Sequence, residues 1–154
     1  MFAFPVEDRG YACGQILHKY QLILAAIFEP LFSEPLPEVS VIVKSPIVFI
    51  VTTFDLRISK GSWLGVGSTA PVTIPELVFK LSQSAKDNVA LQNYDRTISR
   101  VASLEEQRIV PYRSTASEAL VERMVRAFHH LEAWDPAYEP YTFESISRRA
   151  TLLA

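Results

Sequence analysis

The sequence predicts an α+β domain: a curved antiparallel β-sheet or partial barrel in the amino-terminal two-thirds, with a long carboxy-terminal helix packed on it. Three observations favour this class. Short β-branched and aromatic segments fill residues 1–101, and a strongly amphipathic helical segment follows them. The links between the early segments are too short for the crossovers that parallel strands need.

The amino-terminal segment is predicted to form two strands that a tight turn connects. Residues 2–6 alternate apolar residues with alanine or proline, which is typical of a strand with one apolar face. Pro5 favours an edge position for this strand, and Arg9-Gly10 supplies the reversal. Gly14 lies inside the second strand, where glycine indicates a bulge, a sharp bend or a close backbone approach.

Further β segments are predicted as far as residue 101. They are a strand or short helix at 21–28, strands at 39–43, 47–54 and 63–67, and a segment at 76–82 for which a strand is favoured over a helix. Residues 29–38 contain three prolines and three glutamates. Because proline cannot donate to a β-ladder, this stretch is expected to be a projecting loop.

The chain after residue 101 is predicted to be mainly helical. Residues 103–107 indicate a short helix, and residues 115–132 indicate a long one. Thr115 and Glu118 have the spacing of a capping box, and Asp135-Pro136 ends the helical pattern.

Apolar residues recur along the long helix at intervals of three and four: Val121, Met124, Val125, Phe128 and Leu131. Such a stripe must be covered, so we expect this helix to pack on the sheet with Phe128 largely buried. The predicted organisation is one domain, residues 1–154, that is β-rich at 1–101, helical at 102–135 and irregular at 136–154.

Composition and charge argue against several classes of protein. A chain of 154 residues with 49% hydrophobic and 21% charged residues can bury one core and has no signature of disorder. The net charge of −2 is evenly distributed, so no nucleic-acid partner is expected. The longest uncharged apolar run, residues 45–54, is too short to cross a bilayer, and no basic leader is present, so we expect a cytoplasmic protein without a membrane segment.

No residue pattern indicates catalysis, a cofactor or a metal. On a helix, His129 and His130 would point about 100° apart and could not share a metal ion. Residues 65–68 lack the third glycine and the lysine of a phosphate-binding loop. Cys13, the single cysteine, is expected to be a buried thiol. We therefore predict no catalytic, cofactor-binding or metal-binding residues, and an enzyme with His18 or His129 as its base stays only an alternative.

Four short elements, in this order, resemble one known family. They are Phe-Pro-Val-Glu-Asp-Arg-Gly-Tyr-Ala-Cys-Gly-Gln-Ile at 4–16, Gly-Ser-Trp-Leu-Gly-Val-Gly at 61–67, Ala-Ser-Leu-Glu-Glu at 102–106, and Val-Glu-Arg-Met at 121–124 with an aromatic residue and a histidine pair after it. In these elements the chain is similar to immunity-protein family twenty-six of bacterial polymorphic toxin systems. It departs from the family pattern in segment 29–38 and in its last twenty residues.

The resemblance implies a protein that binds without catalysis. Its partner would be the carboxy-terminal domain of a cognate toxin from a polymorphic toxin or contact-dependent inhibition system, which it would block by occupancy. Within segment 29–38, Phe32 is the candidate aromatic anchor, and Glu29, Glu34 and Glu38 are the candidate charged contacts. The alternative is that this segment is only a solvated connection. A regulatory or scaffold module that binds another cellular protein stays open as a second alternative.

Overall fold

Two antiparallel sheets and five α-helices make up the part of the chain that the computed structural model describes, residues 1–19, 21–82 and 89–151. The strands are β1 Phe2–Pro5, β2 Tyr11–Lys19, β3 Ile23–Phe32, β4 Ile47–Thr53, β5 Leu64–Gly65, β6 Val78–Ser82, β7 Val89–Asn93 and β8 Ser99–Val101. The helices are α1 Val39–Ile42, α2 Leu56–Ser59, α3 Leu104–Ile109, α4 Glu118–Phe128 and α5 Phe143–Ala150, with 3₁₀ helices at Glu7–Arg9 and Pro136–Tyr141. The α+β class is confirmed.

The chain divides into two compact units. The first comprises Met1–Thr73 and Thr115–Phe143 and contains a five-stranded sheet with the strand order β4-β3-β2-β1-β5. The second comprises Ile74–Ser114 and Glu144–Ala154 and contains the three-stranded sheet β6-β7-β8. The antiparallel strands are thus divided between two sheets, where a single curved sheet or partial barrel was expected. The single-domain organisation stays a prediction.

Helix α4 covers one face of the five-stranded sheet. It contributes four buried residues to the main core cluster: Val121, Met124, Val125 and Ala127. The sheet contributes Phe2, Ile27 and Phe49, which the strand register aligns on one face. The predicted packing of the helix on the sheet is confirmed. Phe128, which was expected to be largely buried, is partly buried and packs against this cluster.

Helix α4 begins later than predicted. Ser117, and not Thr115, is its N-cap residue. Glu118 does not complete a capping box, because its carboxylate accepts a main-chain N–H of α2 at 2.7 Å. The N–H of Ala116 donates to the carbonyl of Thr52 at 2.9 Å, so the chain before Ser117 is held along β4 and cannot extend the helix.

The end of the chain is more regular than predicted. Helix α4 stops at Phe128 and not at Asp135-Pro136, and His130 follows it in the left-handed region with φ 61°. The carboxylate of Asp135 instead caps a 3₁₀ helix. Residues 136–150, expected to be irregular, form this 3₁₀ helix and α5. The last part of the predicted tail, residues 152–154, lies outside the described residues.

Segment 29–38 is a loop only in its second half. Strand β3 continues to Phe32, opposite Tyr11. The pairing with β2 shifts register between Ala12 and Gly14, and Pro30 lies at this irregularity, where the N–H that proline lacks is not needed. The projecting part is therefore residues 33–38.

Four other predicted strands have different outcomes. Residues 39–43 form the helical turn α1, so the strand prediction there is wrong; the turn directs Ile42 into a fully buried cluster with Ala3. The strands predicted at 47–54 and 76–82 are confirmed as β4 and β6. The strand at 63–67 is reduced to the two residues of β5. Strand β1 is not an edge strand as predicted, because β5 pairs with it. Strand β5 pairs only with the first two residues of β1, so the main chain of Pro5 has no strand partner on that side.

Candidate partner-binding surface

The four residues predicted to bind a partner lie on one stretch of chain between β3 and α1. Glu29 is in β3, Glu34 is in the loop and Glu38 is the N-cap residue of α1. All three carboxylates are exposed, and none forms an ion pair with a described lysine or arginine. Residues 29–41, which we name the acidic segment, therefore present negative charge that the described cations do not neutralise by contact.

The exposed apolar side chains of the acidic segment are Leu36 and Val41, at 61% and 49% exposure. Phe32, the predicted anchor, is half-buried and packs on the cluster that contains Ala3 and Ile42. Leu36 was not among the predicted contacts, because an aromatic side chain was favoured as the anchor. Its position between two prolines was the available signal, since prolines on both sides prevent the ladder or helix that could bury it.

Residues 33–41 of the acidic segment are held at both of their ends. At the first end, Gly10 has φ 114°, and a Cβ built on it would lie 2.3 Å from the carbonyl oxygen of Phe32, so only glycine allows this approach. At the second end, Ile42 is fully buried, and Val39 packs against Gly67, where a Cβ would lie 2.9 Å from it. The exposed residues between these ends thus project from a fixed base.

Glu29 also marks the place where the end of α4 meets β3. His129, the C-cap residue of α4, lies close to the main chain of Glu29. Burial lowers the pKa of His129, and the interaction with this main chain opposes the shift. The lowered pKa favours the uncharged imidazole at the place where the helix end meets the sheet. Because His130 follows in a left-handed conformation, the two histidines do not share a helix, contrary to expectation.

The residues that carry the family resemblance hold the first unit together. Gln15 is buried; its amide donates to the carbonyl of Ala70 and accepts from the N–H of Val72, each at 2.9 Å. Trp63 is 1% exposed, and its indole donates to Glu122 of α4 at 2.9 Å. These contacts attach the chain after β5 to the sheet and the chain before β5 to the helix.

The carboxylates of Glu118 and Glu122 and the thiol of Cys13 take part in structural contacts. The Glu122 carboxylate forms an ion pair with Arg57, and Glu118 accepts the main-chain N–H of the same residue. Cys13 is fully buried, and burial raises its pKa to about 12, so its thiol stays protonated and unreactive. His18 lies near the end of β2, apart from these groups in the sequence.

Neither a metal-binding cluster nor a membrane-spanning helix is present in the described ranges. Among residues 1–19, 21–82 and 89–151, no group of three or more His, Cys, Asp or Glu side chains could hold a metal ion. In the same ranges no helix has the length and apolar character needed to cross a bilayer.

Comparison with known proteins identifies the family. No curated protein and no solved structure matched the chain. The model of one protein family, described as Immunity protein 26, matches residues 1–88, which is more than half of the chain. The match includes every strand of the five-stranded sheet together with Gly14, Gln15 and Trp63, whose buried contacts shape that sheet. The chain therefore belongs to the Immunity protein 26 family.

Proposed function

We propose that this chain is an immunity protein of a polymorphic toxin or contact-dependent inhibition system. It binds the carboxy-terminal domain of a cognate toxin in the cytoplasm and neutralises it by occupancy, without catalysis. The observation that carries the proposal is the family match over residues 1–88. The engagement of the buried Cys13 and Glu118 and the partly buried Glu122 in packing and structural hydrogen bonds supports binding as the mode of action.

The acidic segment is the proposed contact surface. Leu36 lies between Glu34 and Glu38, so an exposed apolar side chain has carboxylates on both sides in the sequence. Interfaces commonly place an apolar anchor at the centre and polar groups at the rim. We infer that the toxin presents a basic surface with an apolar depression, because rim carboxylates accelerate the encounter with a basic partner.

The first experiment tests occupancy. Its probe is the carboxy-terminal domain of whichever large secreted protein is found to be encoded beside this gene. Cells that express the active domain should survive only when the immunity chain is present in at least equimolar amount, because each bound molecule neutralises one toxin molecule. Protection at a small fraction of the toxin concentration would indicate an enzyme and would overturn the proposal. Failure of the wild-type chain to bind or protect would also overturn it.

The second experiment tests the surface with matched charge reversals. Glu34→Lys with Glu38→Lys should slow association with the inactivated toxin domain by about tenfold at low salt, with a smaller effect at high salt. The control is Glu76→Lys with Glu105→Lys, which makes the same change in net charge at two exposed positions outside the acidic segment. Equal association rates for the two variants would exclude the acidic segment as the contact surface.

A truncation separates the two candidate anchors. Leu36→Ala should raise the dissociation rate by about tenfold or more, since anchor residues act mainly on complex lifetime. Leu104→Ala, at a residue that is 78% exposed and lies in α3, is the matched control. If Phe32→Ala raises the dissociation rate and Leu36→Ala does not, Phe32 is the anchor.

A further inference from the structure

The five-stranded sheet has one covered edge and one open edge. At the β4 edge, the carbonyl of Thr52 accepts the N–H of Ala116 at 2.9 Å, and Phe49 forms a β-bridge with Thr142. At the opposite edge, β5 is the outermost strand, and both of its residues are exposed. An exposed strand edge is a place where another chain can add a strand.

The register shows which groups of β5 face outward. The N–H of Val66 donates to the carbonyl of Met1 at 3.1 Å, and Gly65 lies opposite Phe2. In an antiparallel ladder, the residue beside such a bonded position belongs to a non-hydrogen-bonded pair, and its own N–H and C=O point to the other side. Those of Gly65 therefore face away from β1, and no hydrogen bond joins them to another described residue.

The first unit itself does not require a glycine at position 65. Gly65 does not have a positive φ, and a Cβ built on it meets no atom within 4 Å. By contrast, a Cβ at Gly14 would lie 2.3 Å from the ring of Phe2, and one at Gly10 would meet a carbonyl oxygen at the same distance. A glycine in a strand often marks the close approach of another backbone. At Gly65 that backbone is not supplied by the described chain.

The open edge is continuous with the acidic segment. Val66 packs in the same cluster as α1, and the side chain of Val39 lies against Gly67. Leu64 pairs with Ala3, which belongs to this cluster, and it is 38% exposed. A chain that lies along β5 would therefore contact Leu64 on the face of the sheet on which α1 packs.

We propose that an extended segment of the toxin domain adds to β5 as a sixth strand of this sheet. The proposal rests on the proposed function and names the site and the form of the partner. The segment forms main-chain hydrogen bonds with the N–H and C=O of Gly65 and places an apolar side chain on Leu64. Basic side chains beside that position face Glu34 and Glu38 of the acidic segment.

Two variants of one residue test the proposal. Gly65→Pro removes the outward N–H, and proline is tolerated on an edge strand where its N–H would face solvent. Gly65→Ala keeps the N–H and adds a methyl group in open space. Titration calorimetry with the inactivated toxin domain should give a Kd within about twofold of wild type for the alanine variant and about tenfold or more higher for the proline variant. Thermal unfolding of both variants verifies that they are folded.

Hydrogen exchange on the wild-type chain gives a second measurement that does not depend on the folding of a variant. The amide of Gly65 should exchange more slowly in the complex, since it becomes bonded to the added strand. Equal affinity of the two folded variants, or unchanged exchange of Gly65, would overturn strand addition and leave the proposed function intact. A wild-type chain that does not bind the toxin domain would overturn both.

Discussion

Replacement of Gly14 with alanine tests the packing on which the five-stranded sheet depends. An ideal Cβ at this position lies 2.3 Å from the Cζ atom of Phe2, and two further ring atoms lie at 2.7 and 2.9 Å. The ring has little room to move, because it is 1% exposed and stacks on Trp63 with the ring centroids 5.0 Å apart. The added methyl group must therefore displace either the ring or strand β2.

Overpacking of this kind costs about 1 to 3 kcal/mol, and complete removal of a phenylalanine ring from a core would cost about 3 to 5 kcal/mol. Because three ring atoms clash, we expect Gly14→Ala to lower the free energy of unfolding by about 2 to 3 kcal/mol. Gly65→Ala is the matched control in the same sheet and should stay within about 0.5 kcal/mol of wild type. Urea denaturation followed by tryptophan fluorescence measures both. Equal midpoints for the two variants would refute the packing argument.

Two further predictions concern stability. Phe128→Ala should lower the free energy of unfolding by about 1 to 2 kcal/mol, less than for a fully buried ring. The reason is that Phe128 is half-buried and meets Phe49 edge-on, with the ring centroids 6.0 Å apart. A loss above about 3 kcal/mol in urea denaturation would contradict this prediction. The Arg100 guanidinium, together with the N–H of Ser103, holds the pKa of Glu106 at about 2, below its ordinary value of 4.5. The ionised Glu106 stabilises the folded state fully above pH 4.5, and this stabilisation is lost as the pH falls toward 2. Glu106→Gln should therefore flatten the pH dependence of the unfolding free energy in that window. Parallel curves for the wild type and the variant would contradict this prediction.

Trp63 illustrates how motif residues can be structural in a binding protein. Its ring stacks on Phe2 and Phe4, while its indole N–H donates to Glu122 of α4. The helix lies outside the residues that match the family model, so this hydrogen bond connects the matched sheet to the chain that follows it. A protein that acts by occupancy needs such a scaffold, because a contact surface binds well only when its shape is fixed before the encounter.

The acidic segment shows which part of a proposed contact surface can be predicted from sequence. Its charge and exposure follow from local composition, because prolines prevent a regular ladder and glutamates avoid burial. The choice of anchor between Phe32 and Leu36 could not be predicted in this way. Residue type favoured the aromatic ring, but the continuation of β3 through the bulge at Pro30 placed that ring against the sheet and left Leu36 outside.

Sequence by itself determined the features that depend on residues close together in the chain. The α+β class, the strands at β1, β2, β4 and β6, and the short helix α3 all follow from periodicity, β-branched content or residues near the start of a helix. The family resemblance also needed only short elements in order.

Only the tertiary structure decided where elements stop and what their edges meet. Segment 39–43 has the composition of a strand, yet it becomes a helical turn because Ile42 is buried beneath the sheet. Helix α4 starts at Glu118 because Ala116, two residues earlier, donates its N–H to the carbonyl of Thr52, far away in sequence. The outward direction of the Gly65 main chain likewise depends on its pairing with β1. Each of these features is set by contacts between distant residues, whose free energies exceed the small differences in local propensity.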